Sequence, residues 1–170
     1  MATALLLMAG LLVQAPASVR VETAHYALDW EGARAEAEDA GRMLEQGWAE
    51  LGVFFGAKPD ERAKLRVKLL HDEDARLRTA WNDGALVPAQ CRFASFSDLT
   101  RTAYVARMNS AWATRNALLY AACLQYHSLC KPKNLDITRT WYGAGIAQAF
   151  RPSFFMSAMT SRASGSSVGK

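Results

Sequence analysis

The stretch from Trp30 to Phe55 constrains the fold more than any other. Ala33, Ala37, Ala40, Met43 or Leu44, Trp48, Leu51 and Phe55 recur at steps of three and four residues, with Glu and Arg between them. That spacing lines one face of an α-helix with apolar side chains. Gly56 supplies a helix stop, and Lys58-Pro59-Asp60 reads as a loop. A long helix with one apolar face has to be covered by a second layer, so the flanking segments decide the class. Val19–Thr23 and Tyr26–Leu28 read as opening strands before it. Leu65–Leu70 alternates apolar and basic residues after it, as a half-buried strand does.

Farther on, Asp72-Glu73-Asp74 has the acidic character of a first helical turn, and the spacing predicts a short helix reaching Trp81. Asn82-Asp83-Gly84 marks a turn. Arg92–Phe96 and Thr102–Ala106 are the strands of a hairpin or meander. Trp112 to Leu129 reads as a second long helix, with Leu118, Leu119, Ala122, Cys123 and Tyr126 on its apolar side and Lys131-Pro132-Lys133 ending it. Asp136 or Thr138 caps a last helix through Trp141, Ile146 and Phe150. The order of strand, long helix, strands and two helices indicates an α+β domain rather than a doubly wound sheet.

At 170 residues with 21% charged, the chain is long enough for one core and too apolar for a disordered tail. The run Ala4–Val13, followed by Ala15-Pro16-Ala17, has the short apolar stretch and small residues of a secretory signal, although no Lys or Arg precedes it. It is shorter than the roughly 18–20 apolar residues of a membrane span. The expected division is therefore a signal peptide over 1–17, a domain over 18–160 and a flexible tail over 161–170, in a secreted or periplasmic protein.

Charge is uneven, with a net −4 over residues 1–100 and +8 over 101–170. The basic residues are nonetheless scattered, without an arginine-rich run or interleaved aromatics, so no nucleic-acid partner is expected. The cysteines are Cys91, Cys123 and Cys130, with no CxxC pair. In an exported protein one bridge and one spare thiol are expected. Cys123 and Cys130 lie about 10 Å apart along one helix axis, so a bridge would involve Cys91.

Two segments carry a family resemblance. Thr114 to His127, with Leu118-Leu119 ahead of Tyr120-Ala121-Ala122-Cys123-Leu124 and Gln125-Tyr126-His127 behind it, resembles the active-site helix of peptidase MA-like gluzincins. There a Leu-Leu pair precedes HExxH and a Gln-aromatic-His triplet follows. Trp141-Tyr142-Gly143-Ala144-Gly145-Ile146-Ala147-Gln148-Ala149-Phe150 resembles the second motif, W-Y-x-E-G-x-A-x-x-F. The layout of strand, long helix and strand is also similar to secreted bacterial domains of this kind. The resemblance implies a zincin-like domain with a small mixed sheet, a long N-terminal helix and two C-terminal motif helices.

Zinc in such a site is held by two His at i and i+4 and a later Glu, while the Glu beside the first His activates water. In this chain those positions are Tyr120, Leu124 and Ala144 for the ligands and Ala121 for the base, with Gln148 where an acid is common. Ala144 follows Leu124 by the twenty residues that the family expects. Ala and Leu carry no donor, and a phenol of pKa ~10 is a poor ligand alone. The expectation is a non-catalytic domain without zinc that binds peptide or protein, with Trp141 and Tyr142 as groove residues or, the more common use of such side chains, as aromatic core.

The alternative is a hydrolase or soft-metal site on Cys123, His127 and Cys130, which share a helix stripe. A metal there would need a fourth ligand such as Cys91 or His71. Core packing explains the same residues.

Overall fold

A computed structural model describes residues 18–59, 64–87 and 92–130, with Gly145 and Ala147 beyond them. The elements are β1 (Ser18–Glu22), β2 (Tyr26–Glu31), α1 (Arg34–Phe55), β3 (Leu65–Leu70), α2 (Glu73–Asn82), β4 (Ala94–Ser97), β5 (Thr102–Ala106) and α3 (Ala111–Cys130). The five strands form one mixed sheet in the order β1-β2-β3-β5-β4. Strands β2, β3 and β5 are parallel, while β1 and β4 pair antiparallel at the two edges. Two neighbouring parallel strands need a long crossover, and α1 supplies it between β2 and β3. The class is α+β, as the element order predicts.

Register sorts the side chains into two faces. Val21, Leu28, Val67, Ala103 and Phe96 stand side by side across the sheet. These five belong to the main core, which α1 and α3 complete. The next row, one residue along each strand, is Arg20, Asp29, Lys68, Tyr104 and Ser95. It points to the opposite face because successive strand residues alternate. There α2 covers part of the sheet, with Ala80 and Ala85 packed on Tyr104. Lys68 and the Tyr104 hydroxyl both reach the Asp83 carboxylate, at 2.6 and 2.8 Å.

Several boundaries differ from the sequence reading. Trp30 lies within β2 rather than opening α1, because it alternates with Tyr26 and Leu28 and pairs with Leu69. Arg92 and Phe93 fall outside β4, since Phe93 adopts φ 66°, a left-handed conformation no strand tolerates. The end of α1 is as expected: Gly56 takes φ 61° and donates its N–H to the Val53 carbonyl. Asp72 caps α2 by accepting the Ala75 N–H at 2.7 Å, and Glu73 bonds Arg76. The acidic turn thus has a structural explanation without a cation.

The sequence spacing gives α3 one apolar side, yet every residue from Ala117 to His127 except Tyr120 is buried. A helix apolar all round belongs inside. One side of α3 meets β4 and β5 and another meets α1. Gln125 donates to the Arg66 carbonyl at 2.7 Å, and Tyr126 donates to the Ala57 carbonyl at 2.7 Å. These two bonds hold α3 to β3 and to the segment leaving α1.

Candidate functional site

Strand β5 leads into α3 through Arg107 to Ser110. Arg107 donates to the Glu31 carbonyl at 2.8 Å and to Glu36 at 3.0 Å, with its guanidinium 5.9 Å from the Trp30 ring. Ser110 accepts the Ala113 N–H at 3.1 Å, and Thr114 accepts the Met108 N–H at 3.0 Å. The start of α3 is therefore fixed to the ends of β2 and β5, which sets the rotation of the helix.

Given that rotation, Tyr120 and Leu124 lie one turn apart on the same side, and Ala121 is next to them around the circumference. Tyr120 is half-buried against the core, Ala121 is 0% exposed and Leu124 is 7% exposed. Tyr120, Ala121 and Leu124 are thus packed against the core. Ala144, Trp141, Tyr142 and Gln148 lie outside the described residues. Their neighbour Ala147 is helical and fully buried in the main core, while Gly145 is exposed.

The cysteine–histidine stripe is also accounted for by packing. Cys123 is buried, and burial pushes its thiol up to about 12. Burial also raises the thiol of the half-buried Cys130. A thiol held protonated is a poor nucleophile. Cys123 and Cys130 are not bridged to each other, and Cys91, the partner expected for a bridge, lies outside the described residues. His127 packs beside Phe55, with ring centres 5.2 Å apart. His71 is engaged elsewhere: its Nδ1 is 2.7 Å from Glu31 and its Nε2 3.3 Å from Asp72. Among the described residues, no group of three or more His, Cys, Asp or Glu is arranged to hold a metal ion.

In a Cys91→Ser chain, Cys130 is expected to react with a thiol reagent at neutral pH well before Cys123. Cys123 should label only at the rate of global opening. Mass spectrometry of time points checks the order.

Two clusters escape sequence reasoning. His25 looks like a lone histidine, yet it shares the Glu45 carboxylate with Thr23 and stacks on Trp48 with ring centres 4.3 Å apart. Arg76, only 1% exposed, donates to both Glu73 oxygens and to the Ser95 hydroxyl at 2.6 Å. Each joins residues about twenty positions apart in the chain, beyond the reach of any local pattern. The chain matches no protein-family model, no curated protein and no solved structure.

Proposed function

We propose that the protein is an exported, non-catalytic domain on the plan of the gluzincin zinc peptidases, and that it binds peptide or protein. The observation that carries this reading is the register of the two motifs. Leu118-Leu119 and Gln125-Tyr126-His127 frame Tyr120, Ala121 and Leu124, and Trp141-Tyr142 precedes Ala144. The small mixed sheet, the long α1 and the placement of α3 behind β5 are in keeping with that plan. The N-terminal apolar run with its small-residue end supports export.

Chemistry agrees with the loss of activity. A hydrolytic zinc needs donors that stand free to bind it, and leaves one position for water. Ala121 and Leu124 offer none, and their burial fills the space with hydrocarbon. Retaining buried carboxylates without a metal costs several kcal/mol each, so replacement of base and ligand together is the stable outcome. The competing reading, a hydrolase on Cys123, His127 and Cys130, is disfavoured by the raised thiols.

Purified protein, stripped with a chelator and reloaded with zinc, is expected to retain no stoichiometric metal and to hydrolyse no peptide. One zinc per chain, lost in a Cys123→Ser variant, would transfer the site to the cysteine–histidine stripe.

A further inference from the structure

The turn between β1 and β2 is docked on α1 at three points along one helix stripe. Gly41, Glu45 and Trp48 follow one another at i, i+4 and i+7, so they share a face. At Gly41 the Thr23 methyl lies 2.9 Å from where a Cβ would be, a contact that only glycine accommodates without movement. At Glu45 the carboxylate accepts the Thr23 hydroxyl, the His25 backbone N–H at 2.8 Å and the His25 Nδ1–H at 2.5 Å. At Trp48 the imidazole lies flat on the indole, with 16° between the planes. Three donors from one turn thus converge on one carboxylate.

We propose that this contact is an acid-released latch: protonation of Glu45 frees the β1–β2 turn from α1 while the rest of the sheet stays folded. Among the described residues edge strand β1 pairs only with β2, so its release leaves the β2-β3-β5-β4 sheet intact. The His25 carbonyl accepts the Leu65 N–H at 2.8 Å, a tie to β3 that does not pass through Glu45. The His25 ring can donate from Nδ1 either as an imidazolium or as a neutral tautomer. The carboxylate is therefore the group whose titration opens the contact.

Burial by itself would raise the Glu45 carboxyl, but the bonds from Thr23 and His25 outweigh it and hold it below the usual carboxylate range. The sign follows. A carboxyl with a lowered folded value stabilises the docked turn above its unfolded value, and that contribution is lost as pH falls through the folded one.

Other charged and titratable groups around the latch have their own partners. On β1, Glu22 pairs with Lys64, which leads into β3, and with Arg20. On α1, Arg42 pairs with Asp39. On β2, the Tyr26 phenol is fully buried and its ionisation strongly disfavoured by burial and then by Glu45. On α3, Tyr126 meets Trp48 edge-on at 4.7 Å.

The test is hydrogen exchange of the whole chain, corrected for intrinsic rates, across acid pH. Protection of residues 18–25 should fall about tenfold or more before that of β3, β5 and α3 changes. Thr23→Val, which removes one donor, should move this step to higher pH, and Glu22→Gln should leave it in place. Glu45→Gln should give a weakly protected turn at every pH. Simultaneous loss of protection in turn and core would overturn the latch. So would a step that Thr23→Val does not shift, a result that can be read even if Glu45→Gln fails to fold.

Discussion

Trp48→Ala is expected to destabilise the protein by about 3–5 kcal/mol, the range for removing a large buried aromatic. The indole of α1 meets the β1–β2 turn, the start of β2 and α3. His25 stacks on it, Tyr26 meets it edge-on at 6.0 Å and Tyr126 does so at 4.7 Å. Its removal opens a cavity between α1, α3 and the start of β2, and takes away the surface on which the β1–β2 turn rests. Neighbours cannot close the gap, because Tyr126 is tethered through its hydroxyl to the Ala57 carbonyl. Urea unfolding should show a lower midpoint with little change in slope. Trp48→Phe should recover much of the loss, since it keeps an aromatic face for His25.

Arg76→Met is expected to cost about 2 kcal/mol, and the loss should be coupled to Glu73. Breaking a fully buried ion pair costs roughly 3–5 kcal/mol. Glu73 keeps partial contact with water, its side chain being 30% exposed, and can recover some solvation. Burial alone would raise the Glu73 carboxyl, but the Arg76 bonds and the Phe93 N–H at 3.0 Å hold it low. That same N–H fixes the left-handed Phe93, whose carbonyl accepts the Ala106 N–H at 2.7 Å. Loss of Arg76 therefore loosens both α2 and the entry to β4. A double-mutant cycle with Glu73→Gln should show a coupling of about 1–2 kcal/mol, because the double variant leaves no stranded charge. Independent, additive effects would mean that Arg76 acts through packing of its stem alone.

The elements were legible where a local rule is strong. Alternation marks β3, Gly56 marks the end of α1, and Asp72 ahead of the acidic turn marks the start of α2. Trp30 was harder because it suits two periods: it follows Tyr26 and Leu28 at steps of two, and it precedes Ala33 and Ala37 at helical steps. Pairing with Leu69 in the sheet decides between them, and that contact is long-range. Phe93 was missed as a break because its positive φ is imposed by Glu73 and Ala106, not by its own type.

The same division holds at the candidate site. The residue types at Tyr120, Ala121 and Leu124 and their common helix side were readable from spacing. Their burial was not, because the periodicity of α3 carries no sign that the helix is enclosed on all sides. The carboxylate shared by Thr23 and His25 lies twenty residues along the chain, where no motif points to it.

Zinc uptake by a chain carrying Tyr120→His, Ala121→Glu, Leu124→His and Ala144→Glu tests whether these four positions form one site. The natural chain should take up no stoichiometric zinc. The fourfold variant should be less stable than the natural chain without metal, since it buries new polar groups, and should bind one zinc that raises its melting temperature. If the folded variant binds no more zinc than the natural chain, these four positions do not converge, and the gluzincin reading of this protein is wrong.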